Sequence, residues 1–424
     1  MTVTDQLIKF AAVTPPQDAL TMMRLSLFDW AVCGIAGARA ADFDEFVAAQ
    51  LARGQGPATV IGGGTAPAAT AALINGTLSH ALDYDDTHFA HIGHPSVAVI
   101  PAVLALAEEV DAPMHEVAEA ATIGIEASIL TGLWLGRAHY QVGYHQTATA
   151  GAFGATLATG RLLGLDPSEM RHALGLCASM ASGLKAQFGT MAKPLNAGLA
   201  ARTGVEATLW AQAGMTAAHD GMAGPLGFAA THQGQNEDIR PGKGDWHITT
   251  ISHKFHACCH GLHAMLEALG DLRLTSENVS GIHIRTHPRW MSVCNIAEPT
   301  TGLAAKFSYA QTAAMKLAGH DTGAIASFCD AICTDDEVRA LREKVKVSQD
   351  DRLTETQAEI TVTESTGALR RLRHDLMTPM SLAERAEKLG AKGVALLGDA
   401  RADDLWQISQ GENLRDLTDQ LLMS

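Results

Sequence analysis

Apolar residues recur at helical spacing along most of the first 245 positions. A short helix ends at Thr14-Pro15-Pro16, and Leu20, Met23, Leu25, Phe28, Val32 and Ile35 then mark a longer one. Phe43, Phe46, Val47 and Leu51 mark a third, and the Ala-rich stretch 66–82 a fourth. The periodicity predicts further helices over 97–110, 114–135, 146–163, 167–183 and 194–214. Asp166-Pro167-Ser168-Glu169 is a good helix start, with acids set against the positive end of the dipole. After about residue 245 the period changes. Val279, Ile282 and Ile284, and later Ile360 and Val362, alternate as half-buried strands do, and Arg370–His374 reads as the return strand of a hairpin. Helices are expected between them at 303–319, 322–332 and 335–345, with a last pair at 381–390 and 402–422. The fold class is therefore mainly α: a large all-α helical domain, residues 1–245 and 385–424, and a smaller α+β lid domain, residues 246–384.

Composition sharpens this picture. The 424 residues exceed one ordinary core, which supports two domains. Aromatics are only 5% and glycines number 40, so Ala, Leu and Val must do the packing, and helices can approach closely. A formal charge of −15 argues against nucleic acid and anionic membrane surfaces as partners. The dense apolar run Val97–Ala107 is too short to span a bilayer, and the N-terminus lacks the pattern of a signal peptide. Seven cysteines without framework spacing fit a reducing compartment, so a cytoplasmic enzyme without membrane attachment is expected.

Against this background residues 80–96, HALDYDDTHFAHIGHPS, stand out: three aspartates and four histidines lie between almost uncharged flanks. If helical, His80, Asp83 and Thr87 share a face. His94 precedes Pro95, which pushes it toward extended geometry, so the helix is expected to stop near Gly93 and another to begin at Pro95. Buried charges need partners or a task. His145 stands just ahead of a helix of small residues. Lys193 precedes Pro194, an arrangement that displays an extended lysine at a helix start, where it can join the helix N-terminus in binding an anion. The segment HKFHACCHGLH, 253–263, raises zinc as an alternative, with His256 and His260 at i, i+4, yet it lacks CxxC and HExxH. Asp83, Asp85 and Asp86 as a Mg²⁺ site is a similar alternative. Cys329 and Cys333 are read as buried helix residues. No Walker loop, G-x-S-x-G or Rossmann fingerprint occurs, which argues against nucleotide cofactors. A site rich in His and Lys in an acidic protein suits removal of a proton next to a carboxylate, because the charge that develops on the carboxylate oxygens needs preorganised cations.

Taken in order, ALDYDDTHFAHIGHPS, GYHQTATAGAFGAT, FGTMAKPLNAGLAARTGVEATLWAQAGMT, GPLGF and EPTTGLAAKFSYAQTAA resemble the MmgE/PrpD family. Its members include 2-methylcitrate dehydratase, cis-aconitate decarboxylase and iminodisuccinate epimerase. The resemblance implies a helical domain, an α+β lid and a homodimer, with no metal and no organic cofactor. By motif it places Asp83, Thr87, His94, His145, Lys193 and Lys254 around a small di- or tricarboxylate, with His263 where relatives keep a histidine. His145, Lys193, His94, Asp83 and Lys254 are the expected catalytic residues, and Thr87 and His263 the substrate-binding ones. Asp85, Asp86, His88 and His91 are expected to be supporting or solvent-facing. Relatives usually carry a tyrosine near Gln311 that helps decarboxylation; here Tyr309 lies two residues earlier. The Pro-aromatic pair usual after the lysine is replaced by Phe255-His256. The expected activity is a cofactor-independent lyase reaction, (de)hydration of a 2-methylcitrate-like acid. An epimerase of an iminodisuccinate-like dicarboxylate is the alternative, and a non-catalytic small-molecule-binding paralogue the alternative of another class.

Overall fold

A computed structural model describes residues 1–40, 42–242 and 244–423. The chain divides into two compact units: Met1–His253 with Leu397–Ser424, and Lys254–Leu396. The first is all-helical apart from a two-residue ribbon, Ala58–Thr59 against Thr65–Ala66. The second carries a mixed four-stranded sheet with short helices.

In the first unit, helices Ala68–His80, Ser96–Val110, Met114–Val142, Gln146–Leu162 and Ala192–Gln212 pack on one another around a core dominated by fully buried alanines. Small residues allow the close approaches that the composition implied. Where Ala68–His80 meets Ala192–Gln212, a Cβ on Gly76 would lie 2.9 Å from the Gly198 Cα. Where Met114–Val142 meets Gln146–Leu162, one on Gly124 would lie 2.7 Å from the Gly154 carbonyl oxygen. Any side chain at these points forces the helices apart, a change that costs about 1–3 kcal/mol in a packed core. The first of these contacts sets the position of the His80 end of one helix and of Lys193 on the next. Met114–Val142 outruns its expected end at 135 because the chain kinks at Gly136 (φ 74°) and resumes helical geometry. Gln17–Ala40 and Met114–Val142 are long and apolar enough to cross a bilayer by length and composition, but most of each is buried inside this unit.

In the second unit the strands run in the order Val345–Gln349, Val279–Thr286, Gln357–Glu364, Leu369–Asp375. The first pair is parallel and the others antiparallel. Ile282 pairs with Val362 and Ile284 with Ile360, all four buried on one face, as the alternation predicts. Helices His263–Leu269 and Tyr309–Leu317 pack with this sheet.

Several expectations are corrected. Val345–Gln349 is a strand, and the preceding helix is only Asp336–Arg342. The helix expected at 303–319 is two, Gly302–Ala305 and Tyr309–Leu317, and that at 402–422 is also two, Asp399–Gln410 and Leu414–Leu422. The helix expected at 322–332 is replaced by two 3₁₀ turns, Ile325–Ser327 and Asp330–Cys333. There the hydrogen-bonding groups turn outward: the Thr322 carbonyl accepts from the Ala257 amide and Asp330 Oδ1 from the Gly302 amide, each at 2.8 Å. Cys329 is consequently exposed, while Cys333 is buried. The boundaries also differ from 245/246 and 384/385. The last helix of the second unit, Leu382–Leu397, is held within that unit by Lys388 Nζ, 2.5 Å from Glu267 Oε2.

Candidate active site

The helix Ala68–His80 stops at His80, and residues 81–95 are a loop rather than more helix. Asp83 (φ 51°) and Ile92 (φ 56°) both take left-handed backbone geometry, which no helix tolerates and which costs a β-branched residue most. His80, Asp83 and Thr87 therefore do not form a helical face. The loop is tied instead by His88 N–H to the Gly93 carbonyl and Ile92 N–H to the His88 carbonyl, each at 2.9 Å. Thr87 pairs with Ser252 through both backbone amides, and its hydroxyl donates to the Ser252 carbonyl at 3.2 Å. His94 lies outside regular structure ahead of Ser96–Val110, as Pro95 requires. His145 is the extended N-cap residue of Gln146–Leu162. Lys193, in contrast, is not extended; it lies in the first turn of Ala192–Gln212.

These elements bring four of the expected residues together. Lys193 Nζ is 2.8 Å from Asp83 Oδ2, and His94 Nε2 is 3.3 Å from Asp83 Oδ1. His94 Nδ1 is 2.9 Å from Asp85 Oδ2, and His80 Nδ1 is 2.9 Å from Asp85 Oδ1. The His80 ring stacks 6.0 Å from the His145 ring and meets the His94 ring edge-on at 4.5 Å. His145 Nδ1 faces the Asn196 amide nitrogen at 3.3 Å, and its ring meets Phe188 edge-on at 4.9 Å. The Lys193 ammonium lies 5.5 Å from the centre of the same Phe188 ring.

Burial and charge drive the two outer imidazoles in opposite directions. Burial disfavours the cation of His145, and neighbouring His80, Lys193 and His94 add to this, so its pKa falls well below 6.5. Burial acts likewise on His94, but Asp85 and Asp83 outweigh it and raise its pKa above 6.5. Burial penalises the Asp85 carboxylate too, yet His80 and His94 hold it far below the usual carboxylate range. The site thus biases one imidazole toward its neutral form and the other toward its cation.

Asp85, Asp86, His88 and His91 are all buried, not solvent-facing. Asp85 sits at the centre of the ion-pair cluster. Asp86 turns away to the Ser96 hydroxyl, and burial pushes its carboxyl up to about 7. His88 bonds Thr250 at 2.9 Å, and the His91 ring lies against Gly93 and Gly132. His80 and Asp85 are the members of the cluster that sequence reasoning missed. Asp83 and Asp85 both reach His94 because the chain turns at Asp83, whose left-handed backbone no local period encodes.

Lys254 and His263 belong to the second unit, where both are buried. His263 Nε2 is 3.4 Å from the Cys258 carbonyl oxygen, and burial, reinforced by His260, lowers its pKa well below 6.5. His256 and His260 are not on a common helix: His260 begins a 3₁₀ turn, and His256 Nδ1 bonds Thr322 at 2.7 Å while Nε2 faces Glu267 at 3.4 Å. Among the described residues, the group able to hold a metal ion is instead His80, Asp83, Asp85 and His94, whose ligand atoms lie within 4.8 Å of one another. Asp86 is not part of it. Two imidazoles and two carboxylates suit a divalent ion, but here Lys193 and protonated His94 already neutralise both carboxylates. Dialysis against a chelator is expected to leave melting temperature and turnover unchanged; loss of either, restored by a divalent metal, would replace the ion-pair description.

A helical unit with a buried His/Asp/Lys cluster, joined to an α+β unit, defines the class. Residues 5–239 match the MmgE/PrpD N-terminal domain and residues 256–405 the MmgE/PrpD C-terminal domain. The chain belongs to the MmgE/PrpD family. It is 32% identical to a cis-aconitate decarboxylase of Aspergillus terreus over 71% of this chain and 68% of that protein. It is 30% identical to the cis-aconitate decarboxylase-like protein oryM of Aspergillus oryzae over 61% and 58%, and 31% identical to the human cis-aconitate decarboxylase over 41% and 37%.

Proposed function

We propose that this chain is a lyase that abstracts a proton alpha to a carboxylate of a small di- or tricarboxylate, and that its reaction is water elimination from, or addition to, a 2-methylcitrate-like acid. The observation that carries this reading is that His145 and His94 flank His80, with His145 biased toward the neutral form and His94 toward the cation. Elimination needs one base and one acid at the same moment. His145 takes the proton from carbon, and the electron pair moves onto the adjacent carboxylate, whose oxygens Lys193 stabilises. As the double bond forms, the leaving hydroxyl departs as water with a proton from His94. Asp83 holds Lys193 and His94 in place; its half-exposed carboxylate occupies the position on both cations that a substrate carboxylate can take. The family motif assigns Lys254 and His263, both of the second unit, to carboxylate binding, and Thr87 to orienting the departing hydroxyl.

The names of the relatives support a tricarboxylate substrate. Decarboxylation is the less favoured outcome. The Tyr309 hydroxyl is buried, donates to the Gly261 carbonyl at 2.6 Å and lies 2.7 Å from the Thr286 hydroxyl. Gln311 is spent on the Ile332 carbonyl and Arg342. Epimerisation of an iminodisuccinate-like dicarboxylate is the second reading, because the same acid and base can remove a proton on one face and supply one on the other.

Proton NMR in deuterated water separates these readings, using citrate-like, aconitate-like and aspartate-derived acids. New alkene signals from a hydroxy acid, or their loss from an alkene, are the expected result. Deuterium at the α-carbon without net product establishes the epimerase, loss of a carboxylate the decarboxylase, and binding without any exchange the non-catalytic paralogue.

A further inference from the structure

Within the cluster, the reaction above gives no task to His80 or Asp85, which bond each other. His80 Nδ1 lies 2.9 and 3.0 Å from the two oxygens of Asp85. Its Nε2 is buried and makes no hydrogen bond. Asp85 Oδ2 also lies 2.9 Å from His94 Nδ1, an ion-pair approach outside hydrogen-bond geometry, and the opposite nitrogen of His94 faces Asp83 at 3.3 Å. A carboxylate only accepts and carries negative charge, so one at each side of the ring favours the cation, with a hydrogen on both nitrogens. By the same rule His80 holds its hydrogen on Nδ1. With nothing at Nε2 to favour a second proton, burial, opposed by Asp85 but reinforced by His94 and Lys193, lowers the His80 pKa below 6.5 and favours its neutral form.

We propose that His80 is a positioning residue that secures Asp85 as the standing counter-ion of His94, so that His94 meets substrate as a two-hydrogen imidazolium. A neutral donor suits this role. It satisfies a carboxylate oxygen that would otherwise be buried with one partner, without competing for the charge that Asp85 lends to His94. A cationic residue in its place would weaken that charge. The proposal rests on the reading of His94 as the acid, but its direct test does not require substrate.

The groups facing His94 are Asp83, Asp85, His80, His91, His145 and Lys193, and replacing His80 alone leaves the rest in place. In the full chain, nitrogen-15 NMR is expected to show both His94 nitrogens protonated through neutral pH and His80 as the neutral Nδ1–H form. Finding His80 protonated at Nε2, or His94 neutral at pH 7, overturns the proposal before any variant is made. His80→Phe keeps a ring but no donor, and is expected to lower the His94 pKa by about one unit or more, within the range that loss of charge support produces. His80→Leu reads the same quantity if the larger ring does not fold. His80→Asn, whose amide can donate from near the Nδ1 position, is expected to recover most of that shift. The alkaline limb of kcat/KM should move with the His94 titration, to lower pH in His80→Phe and back in His80→Asn. A folded His80→Phe that leaves the His94 titration in place, or equal shifts in the Phe and Asn variants, overturns the proposal. A shifted titration with no substrate turned over upholds it and instead rejects the assigned reaction.

Discussion

His145→Ala should lower kcat by about a thousandfold, within the 10²–10⁴ range of a positioned proton acceptor, and should abolish solvent deuterium uptake at the α-carbon. Its pH profile is the sharper test. The His145 pKa lies well below 6.5 and the His94 pKa above it. The base is therefore biased toward its unprotonated form and the acid toward its protonated one. Falling pH removes activity only when His145 takes a proton, and rising pH only when His94 loses one. A kcat/KM plateau with one limb on each side of 6.5 is expected, and His145→Ala should lose the acidic limb while keeping the alkaline one. Full exchange in that variant would reject His145 as the base. The role also constrains Asn196. For His145 Nε2 to accept a proton, Nδ1 must carry the ring hydrogen and the Asn196 amide must turn its oxygen toward it. In the structure the amide nitrogen faces Nδ1 at 3.3 Å, and a half-turn of the amide exchanges the two ends.

Helical periodicity revealed the first unit well because its helices are long and its core is built from i, i+3, i+4 repeats of small apolar residues. The loop 81–95 was not readable in the same way. Its course is set by two left-handed residues, Asp83 and Ile92, and by His88 and Thr87 bonding to Thr250 and Ser252, far away in sequence. No local pattern encodes those partners. Proline chemistry was legible at His94, which stays outside the helix ahead of Pro95, but misleading at Lys193, where Pro194 falls within a first turn that needs no amide hydrogen. The strand Val345–Gln349 escaped notice because two valines in five residues look like the tail of the preceding helix. Asp85 was hidden by the assumption of a helical period, which set His80 beside Asp83 but gave it no role. Once the helix ends at His80, the cluster follows from the turn at Asp83.

Lys193→Met is the substitution that best separates catalysis from folding. The Lys193–Asp83 pair is close, at 2.8 Å, but the Asp83 side chain is 43% exposed. Water screens such a pair, so it contributes only about 0–1 kcal/mol to stability, and the melting temperature should barely move. In the reaction the same ammonium faces charge that appears on the substrate carboxylate only as the carbon–hydrogen bond breaks. Removing one preorganised donor of that kind typically costs about 10²–10³ in rate, or ~3–4 kcal/mol of transition-state stabilisation. A loss of that size in kcat/KM, with folding preserved, is expected for Lys193→Met. Lys193→Arg keeps the charge but replaces a compact ammonium beside Phe188 with a broad, planar group, and should recover only part of the loss. If Lys193→Met instead lowers stability and leaves kcat/KM intact, the lysine is a structural partner of Asp83. The anion site would then have to be built without it, around His94.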